Sequence, residues 1–368
     1  MPRRFIAALV VLHSAIAPPL AASPAEADQA RKTWERKSAE WSARLSAAVT
    51  PEERQRVAGE RPDPTPSLRG VWSAVSRSLD QEWTLDPAAW FLRNAATVVV
   101  RNDDGSTTPR FAAEVDSLFK AVDQHHLASA KLMPLCMALA QSRDPRALPM
   151  LERIVARNPD KQVRGVASLA VAMALRALGD EPPVMRRRLE HLRSAIIESS
   201  DVELEGNTVA AIAEDELHII RHLSKGRTAP DLSGTDSGGR TRTLSEQKDK
   251  VVMLLFWSDS MWEADRTRDI MMETARRFAG RRFMIIGVNH DPVEKLRAFE
   301  AEDSFPRGQW MNFSDPQAKL AAEYRVANWP AVFVLDGART IHYAGGPGSF
   351  ADLTAEALLA ESPNAIEQ

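Results

Sequence analysis

Few residues of this chain stand in a spacing that could carry out chemistry. A thiol comes first, because a thiolate attacks disulfides and peroxides and binds soft metals. The 368 residues contain one cysteine, Cys136. One thiol allows no intramolecular disulfide and no cysteine cluster around a metal. It lies in Lys131-Leu132-Met133-Pro134-Leu135-Cys136-Met137-Ala138-Leu139, an apolar helical run. There a free cysteine behaves as a small buried hydrophobe. A mixed disulfide with a partner, or a bridge between two copies, is the sharper alternative. His218 and His222 stand four apart, so one helical face presents both imidazoles beside Glu214. A helix facing the surface or a hinge explains the same residues, and the zinc-protease order is absent. His125 and His126 are adjacent, so their side chains diverge on a helix. No Ser-His-Asp order, phosphate loop or catalytic carboxylate pair stands out. No metal or cofactor is expected.

The elements that must position these groups fall into two kinds. Arg3-Arg4 followed by the apolar run Phe5 to Ala17 reads as an export signal, with cleavage after Ala22 or as late as Ala27. The run is too short to span a bilayer, and no other segment is long and apolar enough. Residues 1–22 are therefore expected to be removed, leaving a periplasmic or otherwise extracytoplasmic protein with no integral membrane segment. The apolar content of 44% suffices for a core, and a formal net charge of −3 gives no basic footprint for nucleic acid.

Residues 28–225 read as a helical domain. Trp34, Trp41 and Leu45 line one helical face, and Arg61 to Ser67 breaks the chain with three prolines. Later helices are expected over Phe111 to Val122, Leu127 to Gln141, Arg146 to Arg157, Val163 to Leu178, Val184 to Ser200 and Thr208 to Leu223, with Asp144-Pro145 as a helix start. The pairing suggests αα-hairpins of a repeat-like kind, without a strict period. Residues 226–240 form a linker and lead-in, and 241–361 alternate strand and helix as an α/β domain, with 362–368 as a tail. Strands are expected at Val251 to Trp257, Phe283 to Asn289, Ala331 to Leu335 and Thr340 to Ala344. The last two are joined by a turn at Asp336-Gly337, and Pro316 to Tyr324 is expected to be helical.

Four segments, in order, carry a resemblance over residues 229–361. They are Ala229-Pro230-Asp231-Leu232 with Gly239-Arg240, Thr243-Leu244-Ser245 leading into Lys250-Val251-Val252, Phe256-Trp257, and Tyr324-Arg325-Val326-Ala327-Asn328-Trp329-Pro330-Ala331. Together they resemble the redoxin domain of the TlpA and ResA group of extracytoplasmic thiol–disulfide proteins. The resemblance implies a thioredoxin-like fold, with Pro330 as the family's cis-proline in the segment that contacts substrate through main chain. It also places the reactive cysteine pair at Met261 and Ala264. Neither a thioether nor a methyl group can supply a thiolate. Peroxiredoxins share the fold but need a cysteine on the first turn of the same helix, where none is present.

Ser260-Met261-Trp262-Glu263 fits a capping box instead, with Glu263 and Asp265 complementing the helix dipole. Trp257, Trp262 and Trp329 fall around the former site by this resemblance. They either fill the space left by the dithiol or form, with Pro330, an aromatic surface for a protein or peptide partner. The expectation is a non-catalytic binding or scaffolding protein of the cell envelope. The alternative is a thiol–disulfide oxidoreductase or peroxiredoxin-like enzyme that uses Cys136 or a partner's thiol.

Overall fold

The computed structural model describes residues 23–361, apart from positions 49, 143, 262 and 263. The expected signal segment 1–22 and the tail 362–368 lie outside the described residues. The first part of the chain holds helices α1 (Pro24–Ala47), α2 (Pro51–Gly59), α3 (Thr65–Val75), α4 (Leu85–Ala95), α5 (Ala112–Ala121), α6 (Met133–Gln141), α7 (Ala147–Arg157), α8 (Lys161–Leu175), α9 (Pro182–Ser199) and α10 (Val209–His218). A π-helical turn, Ile219–Leu223, extends α10.

Local chemistry sets these boundaries. Asp160 caps α8, its carboxylate accepting the Gln162 N–H at 2.7 Å. A Cβ on Gly165 would come 2.2 Å from Ser199 Oγ, so only glycine lets α8 and α9 approach this closely. Small and aliphatic residues of α8 fill the centre of a buried cluster shared with α4, α6, α7 and α9. Asp144 does not cap α7 directly. Its carboxylate takes the Arg146 N–H at 2.9 Å, and the helix starts one residue later than expected. Two short hairpins interrupt the helices, β1 (Val99–Arg101) with β2 (Thr107–Pro109) and β3 (Glu203–Leu204) with β4 (Asn207–Thr208).

The second part is a seven-stranded mixed sheet with the order β11-β10-β7-β8-β9-β5-β6. Its strands are β5 (Ser233–Asp236), β6 (Thr241–Thr243), β7 (Val251–Trp257), β8 (Phe283–Asn289), β9 (Trp310–Ser314), β10 (Ala331–Leu335) and β11 (Ile341–Gly345). Helices α11 (Ala264–Arg277), α12 (Val293–Ala301), α13 (Lys319–Glu323) and α14 (Ser349–Glu361) cover it. β7, β8 and β9 are parallel, and β10 runs antiparallel to both β7 and β11. β7 and β8 are buried along their whole length, as continuous apolar strands covered on both faces must be. Val251, Met253, Leu255 and Trp257 face α11, α12 and α14, while Val252, Leu254 and Phe256 lie under Leu320 and Tyr324.

Three expectations need correction here. β5, β6 and β9 were not expected as strands. The first two are short, polar and at least partly exposed, with β6 at the sheet edge and β5 beside it, so they read as lead-in, and β9 carries Asn312 at a buried position. α13 begins only at Lys319, because Asp315 accepts the N–H groups of Lys319 and Ala321 while Ala318 takes a left-handed conformation. The β10–β11 connection is the five-residue segment 336–340. Asp336 organises it by accepting the N–H groups of Ala338 and Thr340.

The two parts share a core. Ile219 and Leu223 are buried in the same cluster as Leu254, Phe256, Tyr324 and Ile341. The linker runs beside β11, with Gly226 donating to the Ile341 carbonyl at 2.7 Å and Ile341 donating to Arg227 at 2.8 Å. Tyr324 Oη donates to the Pro230 carbonyl at 2.6 Å, and Arg325 pairs with Asp215 of α10 at 2.6 Å. Fully buried Arg188 pairs with Glu216 at 3.0 Å and with Asp180 at 3.4 Å, and the same Asp180 accepts the Lys225 N–H.

Candidate functional site

The position of interest is the end of the sheet where β7 stops and β10 begins. β7 delivers its last apolar side chain, Trp257, and the chain then turns through Ser258, Asp259, Ser260 and Met261. Two residues beyond β8, Asp291 is buried beneath this turn. Its Oδ1 accepts the hydroxyls of Ser258 at 2.9 Å and Ser260 at 2.6 Å. Its Oδ2 accepts the Asp259 N–H at 2.5 Å and the Asn289 side-chain amide at 3.1 Å. Lys295 Nζ donates to Ser260 Oγ at 3.2 Å, closing the network on α12.

Burial pushes the Asp291 carboxyl up. Hydrogen bonds from Ser260, the Asp259 amide, Ser258 and Asn289 outweigh that effect and hold it below its ordinary value. A carboxylate so stabilised is a poor proton acceptor at neutral pH. The arrangement therefore clamps the turn rather than activating either serine. Ser260 Oγ is engaged with Asp291. The Glu263 half of the expected capping box lies outside the described residues, as does Trp262.

Met261 is half-buried and packs on the α11 side of the core, and Ala264 is buried at the first residue of α11. These are the positions where the resemblance places the reactive pair. The Trp329–Pro330 peptide, just before β10, is cis, and both residues are half-buried. The Trp329 ring lies 5.6 Å from His290 and 6.4 Å from Phe256, centroid to centroid. His290 Nδ1 sits 3.0 Å from the Asp315 carbonyl. A carbonyl only accepts, so Nδ1 carries the proton.

Trp257 belongs to no binding surface, contrary to the expectation that grouped it with Trp329. It is 1% exposed. Its Nε1 donates to Asn312 Oδ1 at 3.1 Å, and Trp310 Nε1 donates to the same oxygen at 2.9 Å. Asn312 in turn donates to Glu300 at 2.9 Å, and Glu300 also accepts from Ser237. Gly287 makes room for this node, because a Cβ there would lie 1.9 Å from Asn312 Oδ1.

Cys136 is fully buried in the helical cluster, away from the clusters on either face of the sheet. Burial pushes its thiol up to about 12. His218 and His222 come together, ring centroids 4.9 Å apart, near Arg325, which pairs with Asp215 of α10. Burial, then Arg325 and His222, lower the pKa of His218. Among the described residues no group of three His, Cys, Asp or Glu side chains could hold a metal. His126 is buried, with Nε2 on the Leu79 carbonyl at 2.6 Å.

Asp291, Asn289, Asn312 and Gly287 escaped the sequence reading, though a signal existed. Asn289-His290-Asp291 follows directly on an apolar strand, and the carboxyl ends of parallel strands are where α/β folds gather polar groups. Gly287 inside that strand marks a close approach. Phe350, 76% exposed, and Leu353 were also missed. They lie at the start of α14, just beyond Gly345, which pairs with Val332 at this same end of the sheet.

Residues 225–344 match the AhpC/TSA family. No curated protein matches the chain. Among solved structures, the chain is similar to the thioredoxin domain of a thiol-disulfide oxidoreductase from Bacteroides vulgatus, at 21% identity and a TM-score of 0.33, covering 37% of this chain and 98% of that one. The thiol:disulfide interchange protein DsbE from Chlorobium tepidum gives 21% identity and 0.33, covering 38% and 97%. Peroxidoxin BcpB from Mycobacterium tuberculosis gives 25% identity and 0.31, covering 39% and 98%.

Proposed function

We propose that this chain, whose residues 225–344 form a redoxin domain with no Cys-X-X-Cys pair, is an exported, non-catalytic binding protein of the cell envelope. One observation carries the reading. The two positions that would react hold Met261 and Ala264, while the chain's single thiol is enclosed in another core with a raised pKa. A thiol in that state supplies almost no thiolate at neutral pH. The turn after β7 is tied down by Asp291, which suits a fixed surface better than a site that forms and breaks covalent bonds.

The surface offered is the sheet end around Trp329 and Pro330, where Trp329 is half-buried against Phe256 and His290. Its occupant would be an extended protein segment bearing apolar side chains, since aromatic residues anchor such contacts. Export rests on the Arg3-Arg4 and Phe5 to Ala17 pattern. Among the described residues no helix is long and apolar enough to cross a membrane.

Purified protein is expected to reduce neither insulin disulfides nor hydroperoxide above a boiled control. Turnover that disappears in Cys136→Ala would defeat the proposal. On the binding side, a permanently unfolded, carboxymethylated polypeptide should slow amide exchange over 324–332, and Trp329→Ala should abolish that protection. Protection spread evenly over the chain would remove this surface from consideration.

A further inference from the structure

We infer that two copies of this chain pair through the free edge of β1, joining their β1–β2 hairpins into one continuous antiparallel sheet. The hairpin stands clear of the helical body. Residues Val99 to Arg101 and Asp103 to Arg110 are all exposed, while Val98 and Phe111 at its two ends pack into the cluster around Phe91. The β3–β4 hairpin differs, because Leu204 packs on the helical core. A ribbon of two strands with no covered face is marginal in water, and further strands are what stabilise it. Val99, 54% exposed, and Val100 are β-branched residues suited to a sheet and left at its margin.

The hydrogen bonding selects the edge. The Arg110 N–H donates to the Val98 carbonyl at 2.9 Å, and the Asn102 N–H donates to the Ser106 carbonyl at 2.8 Å. Val100 lies opposite Thr108, so alternation turns the main-chain N–H and C=O of Val99 and Arg101 away from β2. Among the described residues no main-chain group meets them. On the other edge the outward positions are Thr107 and Pro109, and Pro109 has no N–H to donate. One edge is open and the other is blunted.

A second copy fits the open edge by symmetry. Val99 and Arg101 flank Val100, so a two-fold axis at Val100 sets Val99 of each copy against Arg101 of the other and meets every outward N–H and carbonyl of both. This antiparallel arrangement carries the acidic tip of each hairpin, Asp103 and Asp104, to the base of the other, where Arg110 stands. A parallel one would set the acidic tips side by side, where like charges repel. Pro109 then lies on both outer edges, which ends the sheet at two copies instead of letting it grow. A contact of this size belongs to the weak class, so the pair dissociates on dilution.

Sedimentation of the full chain over a range of concentrations should show a reversible monomer–dimer equilibrium. Arg101→Pro removes an outward N–H and none of the hairpin's own bonds, and should abolish the dimer. Arg101→Ala keeps the N–H and should retain it. A cysteine trap reads the register directly. Val100→Cys should cross-link two copies under mild oxidation, because a non-hydrogen-bonded antiparallel pair holds its Cα atoms about 4.5 Å apart, within disulfide reach. Thr108→Cys, one strand further from the axis, should not cross-link, and buried Cys136 stays out of the exchange. A monomer at every concentration overturns the proposal, as does equal cross-linking from positions 100 and 108. A dimer that persists in Arg101→Pro places the contact on another face and also overturns it.

Discussion

Around Cys136 the helical part packs Leu132, Leu135, Leu139 and the aliphatic side chains of α8 into one buried cluster. Around Ser258 to Met261 the sheet part gathers two hydroxyls, a main-chain amide and a carboxamide on the Asp291 carboxylate. The first region has a thiol without a site, and the second has the frame of a site without a thiol. In the first, the low dielectric disfavours the thiolate. In the second, the donors of Ser258, Asp259, Ser260 and Asn289 already have a fixed acceptor in Asp291. A reactive group and an activating environment must coincide, and neither region brings the two together.

The largest effect is expected from Gly287→Ala, which drives a methyl group into Asn312 Oδ1 and toward Trp257 Nε1. Overpacking of this kind costs about 3 kcal/mol, with the broken polar node adding to it. A denaturant midpoint close to wild type would show that the indole node is not what holds the sheet side together.

Next comes Leu223→Ala, expected to cost about 3 kcal/mol from the cavity it leaves. Leu223 belongs to the helical part but is buried in the sheet cluster. Helical ellipticity and tryptophan fluorescence should therefore shift to the same lower midpoint. If the two signals separate, the regions are independent and the shared core is an overstatement.

Asp291→Asn should cost about 2 kcal/mol, because an amide group turns donors against donors. The pH dependence follows from the lowered pKa. The folded value lies below the unfolded one, so the contribution of Asp291 is present above about pH 4 and is lost as pH falls through the folded value. Asp291→Asn should therefore flatten the acid limb of the stability profile, and an unchanged limb would remove Asp291 from it.

The smallest effect concerns Cys136 itself. Cys136→Ala should cost about 1 kcal/mol. In the native protein, modification of Cys136 by an aromatic disulfide reagent should wait on unfolding and become fast in denaturant. Fast native labelling would erase the contrast between the two regions.

Much of this was legible in the residues themselves. The runs Val251 to Trp257 and Phe283 to Asn289 are continuous and apolar, so they read as buried strands. That the chain holds no Cys-X-X-Cys pair needs only residue identity. β9 and the edge strands were not legible, because Asn312 interrupts the apolar pattern and short edge strands owe their conformation to neighbours distant in sequence. The site was half legible. Trp257 and Trp329 look alike in sequence, yet β7 carries one into the core and the loop before β10 leaves the other half-exposed.

The sequence by itself determined what this protein lacks and which segments alternate between helix and strand, since residue type and local periodicity require no partner. Only the tertiary structure decided that Asp291 gathers Ser258 and Ser260, that Trp257 and Trp310 share one amide oxygen, and that Leu223 completes a core begun after residue 228. Each of these joins groups more than 30 residues apart, or on different elements, through hydrogen bonds and excluded volume. Such contacts exist only once the chain has closed on itself.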